Sequence, residues 1–483
     1  MSENQTSIPT FDKLYVGGEW VQPSGTGRIE VISPSTEEVI SSVPEPTNAD
    51  IDAAVSAATA AHDGGEWRRM EPAERGAAIG RIADAIEARI PEYAEIFASE
   101  IGAPVPVGTA FHQMGVAIFR DFARMHEDVQ FEESRSAGGV DTRIYREPVG
   151  VVAGIIPWNG PVAAAAFKLG PALAAGCTAV IKPAPEGPLT AYMLAEAVHT
   201  AGLPEGVVSI LPAGREAGEH LVTHPDVNKI AFTGSTAAGK RIMSLASDRI
   251  ARVTLELGGK SAAIIGEDVD PAGVLPTLLP AGLGHSGQVC AAITRVLVPR
   301  SRQDEWIAAF AAGASSIQVG DPFDEKTMLG PLAMQRQRDR VEGYLAIARE
   351  EGATVAAGGG RPQGLAKGWY VEPTILANVD NKMRVAQEEI FGPVICLISY
   401  DTIDDAISLA NDSPYGLSGA VYTNDAATAQ RVVREVRTGQ LFVNSAGVCV
   451  TQPFGGFKQS GMGREGGLEG INAYLETKMA QFA

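Results

Sequence analysis

Three side chains in this sequence carry groups suited to covalent chemistry on a carbonyl, and one further stretch could hold a phosphate. SGQVCAA, residues 286–292, sets Cys290 among small residues, where a substrate could approach the sulfur and a thiolate would attack an electrophilic carbon. The same surroundings suit a buried structural cysteine, and the segment alone leaves both readings open. LELGGKS, residues 255–261, sets Glu256 at the end of an apolar run before two glycines, as a general base in a cleft or as a capping group. IIPWNGP, residues 155–161, holds Asn159 in a proline-flanked loop, either as a turn residue or as an amide donor to a developing oxyanion. KIAFTGSTAAGKR, residues 229–241, puts a Gly/Ser/Thr turn between an apolar strand and a helix start, where free N–H groups and the helix dipole favour a phosphate or serve a plain structural turn.

Competing motifs fail on single residues. Gly234, Gly239 and Lys240 approach a phosphate loop of the ATPase kind, but Arg241 stands where a magnesium-binding Ser or Thr belongs. No GxGxxG dinucleotide fingerprint is present there. Gly284-His285-Ser286-Gly287 resembles a hydrolase elbow, yet Gln288 replaces its last glycine. Cys177, Cys290, Cys396 and Cys449 lie far apart with no CxxC pair, so they read as free thiols of a reducing, cytoplasmic compartment, and no metal site is expected.

The elements that must position these groups follow from periodicity. Leu14–Trp20 and Arg28–Ile32 read as small strands with turns after them, and Asp52–Ala61, Pro72–Ile90 and Glu92–Ile101 as helices with apolar residues at three- and four-residue spacing. From Val149 short apolar strands alternate with helices: a strand in VGVVAGIIPWN, a helix over Pro161–Ala175, a strand in TAVIKPAP, a helix over Leu189–Thr200, a strand in VVSILPA, a short helix over Ala217–Leu221, and NKIAFTGST leading into a helix from Ala237. This alternation implies a parallel sheet covered by helices, and it resumes from Arg252 to about Phe457 as a second α/β unit. The stretch Gln130–Glu147 is polar and β-prone, unlike its neighbours.

At 483 residues the chain exceeds one hydrophobic core, and three domains are expected. Its 45% hydrophobic and 20% charged residues are those of a soluble globular protein. A net charge of −19 argues against a nucleic-acid partner, since nothing would neutralise phosphates. The start MSENQTSIPT has neither the basic nor the apolar part of a signal peptide. The most apolar run, Val151–Phe167, is broken by Pro157, Asn159 and Pro161, so no membrane span is expected.

Taken in order, KLYVGGEW, PWN, KLGPALAAG, FTGST, LELGGKS, GQVC, EEIFGPV and PFGGFKQSGMGRE closely resemble the aldehyde dehydrogenase superfamily over nearly the whole chain. The resemblance implies an NAD(P)-dependent enzyme of the hydrolytic type and a variant dinucleotide fold, which accounts for the missing GxGxxG. It implies that Cys290 is the nucleophile, Asn159 an oxyanion-hole amide, Glu256 the general base, Lys168 a buried lysine near the site and Glu465 a second glutamate able to relay protons. It also implies cofactor contacts at Ile155, Pro157, Trp158, Lys182, Pro185, Glu186, Gly214, Phe232, Gly234, Ser235, Leu257, Gly258, Glu389 and Phe391.

The architecture implied is two parallel-sheet α/β domains and a small β arm: a cofactor domain over 1–128 and 149–257, a catalytic domain over 258–458, and a two-stranded oligomerisation arm from 129–148 and 459–483. Members of this length are usually homotetramers built as dimers of dimers. The sequence departs from the family at Pro185, where many NAD-preferring members carry a glutamate, and at Val448-Cys449-Val450-Thr451, which replaces an aromatic pattern. Gly160, Phe167, Val289, Val448 and Cys449 are expected to line the substrate entrance, apolar and without an arginine, which suits an uncharged aldehyde of medium size. The cofactor loop offers Lys182 and Glu186 and no second cation as a phosphate clamp, so NAD is expected to be preferred over NADP with measurable NADP use. A CoA-acylating relative should lack the glutamate at Glu256, and a silent structural relative should have lost a catalytic residue; neither loss is seen.

Overall fold

The computed structural model describes residues 7–137 and 140–482; residues 1–6 with the polar start, residues 138–139 of the expected arm and residue 483 lie outside the description. Five apolar segments, Val151–Ile156, Thr178–Pro183, Val208–Ile210, Lys229–Thr233 and Arg252–Glu256, pair in parallel as the centre of an eight-stranded sheet. Near-continuous hydrophobic runs are what strands covered on both faces require, and helices Pro161–Ala175, Pro188–Ala201, Arg215–Thr223 and Thr236–Ser247 supply the crossovers. Leu14–Val16 and Glu19–Val21 close one edge as a hairpin whose turn, Gly17-Gly18, takes φ of 59° and 92°, the left-handed values this tight connection needs.

Strand order decides where a ligand can sit. Val151–Ile156 has its successor Thr178–Pro183 on one side and Lys229–Thr233 on the other, so the chain reverses its direction of growth between the first and the last of these. The loops leaving the carboxyl ends of strands at such a point diverge and open a crevice. Those loops are Pro157–Gly160 and Gly234–Ser235, two of the stretches singled out above.

A second sheet of seven strands runs in the order Thr354–Ala357, Thr374–Ala377, Val394–Tyr400, Ile293–Pro299, Ser261–Ile265, Gly419–Tyr422, Phe442–Val443, parallel throughout apart from its first pair. Its strand Ser261–Ile265 follows the first sheet's Arg252–Glu256 after four residues, so LELGGKS is the junction between the two sheets. Among the described residues no helix is long and apolar enough to cross a membrane.

The polar segment pairs with the end of the described residues in a small sheet, where a two-stranded arm was expected. The arm has three strands, Leu475–Phe482, Val140–Pro148 and Glu132–Ala137, all antiparallel, instead of two. Of the tail after 459, only that last strand joins it: Gly461–Met462 pairs with Leu255 and Glu256 at the edge of the first sheet. The reason is local sterics. A Cβ at Gly461, whose φ is 151°, would stand 2.1 Å from the Leu255 carbonyl, so glycine alone permits this approach.

Candidate active site

The crevice between the two sheets holds a cavity of about 650 Å³ whose wall includes Cys290, Asn159, Glu256, Glu389, Phe391 and Glu465. Cys290 sits on a turn between the helix Pro271–Leu283 and the strand Ile293–Pro299. Burial and the charges of Glu389 and Glu256 push its thiol up to about 12, while its own N–H and that of Ala291 pull the other way. The resting group is therefore a thiol, and the two N–H groups mark where negative charge on sulfur would be stabilised. Asn159 reaches over from the first sheet, and its Nδ2 donates to the Gln288 carbonyl at 2.7 Å. Gln288 is itself fixed, its Oε1 accepting from the Ala333 N–H at 3.0 Å. One amide hydrogen of Asn159 is thus anchored and the other remains for a ligand.

Glu256 ends its strand with a buried carboxyl whose two oxygens have no hydrogen-bond partner among the described residues. Burial, then the neighbouring Glu465, raise it well above the usual carboxylate range against the pull of Lys168 and Arg464. Behind it Lys168 Nζ donates to Glu465 Oε1 at 2.7 Å and to Thr233 Oγ1 at 2.6 Å. Glu465 is held by a two-way backbone bridge with Phe454, 2.6 and 2.7 Å, and Phe454 stacks on Phe167 with ring centroids 5.9 Å apart. One apolar wall and one carboxyl of the site thus come from a single bridge.

At the other end, Ser235 caps the helix Thr236–Ser247, and no acidic residue stands in its first turn, so the positive end of the dipole faces the crevice uncompensated. Glu389 Oε1 accepts from the Gly259 N–H at 3.0 Å, and burial raises its carboxyl to about 7. Phe391 meets Trp158 edge-on at 5.6 Å and takes a φ of 61°, an unusual backbone for an aromatic residue. The strain is over-determined: Gln337 Nε2 donates to the carbonyls of Phe391 (2.6 Å) and Ile390 (3.1 Å), and Arg340 Nε to Ile390 (3.2 Å).

The structure brings most of the singled-out residues together and leaves some apart. Pro157, Trp158, Gly234, Ser235, Leu257, Gly258, Glu389 and Phe391 line the cavity, as do Gly160, Phe167, Val289 and Val448. Val448 and Val450 are on its wall, and the carbonyl of Cys449 between them accepts from Gln440 Nε2 at 2.9 Å. Ile155 and Phe232 are buried at strand ends, and Lys182, Pro185, Glu186 and Gly214 lie outside the enclosed space. Lys182 Nζ donates to Ala213 at 2.6 Å, next to Gly214, and burial lowers it to about 8. A second cation does stand at the cofactor loop, contrary to the expectation above, since Arg336 pairs with Glu186 from the helix Gln335–Glu350. These residues are 150 apart in sequence, and local reading had no means of joining them. Gln337 and Arg340 were missed for the same reason. Val107, Ala110, Phe111 and Met114, also on the wall, show the i, i+3, i+4, i+7 stripe of a helix face but look like ordinary core.

The model of the aldehyde dehydrogenase family matches residues 20–480. A geranial dehydrogenase of Castellaniella defragrans is 43% identical over 96% of this chain and 97% of its own length. Among solved structures, an aldehyde dehydrogenase of Mycobacterium tuberculosis complexed with NAD+ superposes with a TM-score of 0.96 at 44% identity, covering 98% of this chain and 99% of that one. An aldehyde dehydrogenase C mutant of Pseudomonas syringae complexed with NAD+ and octanal gives 0.95 at 41% identity, covering 99% and 98%. With nearly the entire sequence matched and the fold shared, this chain belongs to the aldehyde dehydrogenase family and is an aldehyde-oxidising enzyme.

Proposed function

We propose that the protein oxidises an uncharged, apolar aldehyde of medium size to its carboxylic acid with NAD, through a thioester on Cys290 that water cleaves. The observation that carries this reading is the convergence of Cys290, Asn159 and Glu256, from three separate segments, on one cavity. That wall is mostly apolar, and the two relatives named for geranial and octanal act on or hold apolar aldehydes of this size.

The residues present fit a dinucleotide. The uncompensated helix end at Ser235 suits a diphosphate, the Glu389 carboxyl and the strained Phe391 turn suit the nicotinamide half, and the loop from Lys182 through Pro185 and Glu186 with Gly214 suits the adenosine. Bound NAD supplies the hydride acceptor. The work of the chain's own groups is as follows. Cys290 gives up its thiol proton to water, the thiolate Sγ forms a bond to the carbonyl carbon, and the displaced electron pair on oxygen is met by the free Asn159 N–H and the Cys290 backbone N–H. Each such donor lowers the barrier by roughly 3 to 4 kcal/mol. When the carbonyl re-forms with loss of hydride, the carbon remains bound to sulfur as a thioester. Glu256, once ionised, takes a proton from water, the hydroxyl oxygen adds to the acyl carbon, and the C–S bond breaks to release the acid and the Cys290 thiolate, which takes the proton back from Glu256.

Among the described residues the arm's outer strands, Glu132–Ala137 and Leu475–Phe482, each leave one edge without a strand, and we assign them to pairing between subunits of a homotetramer. Assay of geranial, octanal, benzaldehyde, succinic semialdehyde and betaine aldehyde with NAD and no CoA tests the reading. NADH formation with the first three and loss of it in Cys290→Ala support it; a CoA requirement, or a preference for the charged aldehydes, refutes it.

A further inference from the structure

One face of the helix Gln335–Glu350 grips the segment from Glu388 to Gly392 residue by residue. Gln337 Nε2 donates to the Phe391 and Ile390 carbonyls, and Arg340 donates to those of Ile390 and Glu389. Val341 packs on Gly392, where a Cβ would stand 2.3 Å from a Val341 methyl carbon. Tyr344 donates from its hydroxyl to Glu388 Oε2 at 2.6 Å. These four helix residues stand at i, i+3, i+4 and i+7, the spacing of a single helical stripe. Gln337 and Arg340 line the cavity. Tyr344, 7% exposed, touches Arg340 and Glu388 instead.

Tyr344 ties together the charges around it. Arg340 lies over its ring, Cζ 5.0 Å from the centroid, and donates from Nη2 to its hydroxyl at 3.3 Å. Arg384 lies over the same ring at 5.9 Å, and its Nε donates to Glu388 Oε1 at 2.8 Å. Glu388 is thus bonded at both oxygens, and the Arg384 bond, then that of Tyr344, holds its carboxyl below the usual range. A free arginine samples many rotamers, and stacking with hydrogen bonding removes most of them before a ligand arrives. The tyrosine hydroxyl joins the two halves of this network. It accepts from Arg340, whose other bonds fix the Glu389 and Ile390 carbonyls, and it donates to Glu388, the residue before Glu389.

Resting on the reading that Glu389 and Phe391 hold the nicotinamide half of NAD, we propose that Tyr344 is a positioning residue for that half: its hydroxyl, bonding Arg340 and Glu388 at once, sets where the Glu389 carboxyl and the Phe391 ring stand. The same helix carries Arg336 in its first turn, paired with Glu186 at the adenosine loop. Arg336 and Tyr344 are about 12 Å apart along the helix axis, so the two halves of the cofactor are served from separate places on it. A change at Tyr344 acts on one half alone.

The experiment is calorimetric titration of the parent enzyme and of Tyr344→Phe, Tyr344→Leu and Glu388→Gln with NADH and with ADP, which lacks the nicotinamide and its ribose. Tyr344→Phe keeps the ring and removes only the hydroxyl. It is expected to weaken NADH by about tenfold, the scale of one hydrogen bond to a charged group, and ADP by less than about twofold. Tyr344→Leu, which also removes the platform under Arg340, should weaken NADH further. Glu388→Gln, whose side chain is 42% exposed, should shift NADH in the same direction and does not depend on the Tyr344 variants folding. Equal weakening of NADH and ADP would show a general disturbance of the fold, and unchanged NADH binding in Tyr344→Phe would show a hydroxyl without this role; either overturns the inference. Glu389→Gln separates it from the reading beneath it. If that variant also leaves NADH unchanged relative to ADP, the nicotinamide half is not held there and both fall; if it weakens NADH while Tyr344→Phe does not, only this inference falls.

Discussion

Lys168 and Glu465, 297 residues apart in sequence, meet in a buried ion pair with Nζ 2.7 Å from Oε1, and their side chains are 0% and 3% exposed. The pair stands directly behind Glu256 and is bonded on to Thr233, so it ties the cofactor-side helix, the strand Lys229–Thr233 and the C-terminal loop into one unit.

Removing one partner strands the other. Lys168→Met leaves the Glu465 carboxyl buried without its cation and is expected to destabilise the fold by up to about 3 to 5 kcal/mol, less where Glu465 takes up a proton. The double variant Lys168→Met/Glu465→Leu should recover part of the loss. Denaturant unfolding of the three proteins measures this, and equal stability of the single variant and the parent would contradict it.

For Glu256→Gln, a burst of NADH equal to the enzyme concentration should be followed by a stall, since attack by sulfur proceeds while water is not deprotonated. Intact-mass spectrometry should then find an acyl group on Cys290. Normal turnover with no adduct would remove Glu256 from the hydrolytic step.

The raised Glu256 and Cys290 fix the sign of the pH dependence. Both groups act in their ionised forms, so turnover should climb as pH rises from 6 through 9. Stability should move oppositely. Glu389 is raised from 4.5 to about 7, so the folded state holds its proton more tightly than the unfolded chain does, and stability is lost as pH rises through that window. Rate profiles and thermal melts across pH 5 to 9 check both, and a rate that falls with rising pH would refute the first.

A methyl group at Gly455 would stand 2.6 Å from Glu256 Oε1 and 3.0 Å from the Gly463 carbonyl, at a backbone φ of 151°. Gly455→Ala should therefore displace the Glu256 carboxyl and slow steady-state turnover by about a hundredfold while the initial NADH burst persists. Stopped-flow fluorescence separates the two phases. Equal loss of both would mean that the damage is not confined to hydrolysis.

Arg336 is held by Glu186 at the edge of the cofactor loop. Neutralising the carboxylate in Glu186→Gln frees that cation for a 2′-phosphate and is expected to raise the ratio of NADP to NAD efficiency by about tenfold, the scale of one charge-assisted contact. Arg336→Ala should lower the ratio. The parent enzyme should prefer NAD, and a parent preference for NADP would show that the pair is open in the working enzyme.

The sequence made legible what is local. Alternating apolar strands and helices gave both parallel sheets, and Cys290, Asn159 and Glu256 each stood in a short motif whose residue types suit its chemistry. What it hid was what distance in the chain separates. The Arg336–Glu186 pair, the grip of Gln337 and Arg340 on the Phe391 turn and the facing of Phe97 and Phe111 on His285 arise from docking of one unit on another. The stretch 129–148 was visible as polar and β-prone, but the sequence did not show that it makes two strands, nor that Gly461–Met462 pairs with the first sheet while Leu475–Phe482 pairs with Val140–Pro148.

The C-terminal loop bears on how the enzyme comes into being. A nascent chain extended to residue 450 already holds Cys290, Asn159 and Glu256, yet it lacks the Ser460 carbonyl that receives the Leu257 N–H at 2.8 Å, the Phe454–Glu465 bridge and the outer arm strand. The strand that ends in Glu256 is thus held, and the three-stranded sheet completed, by residues that follow position 450.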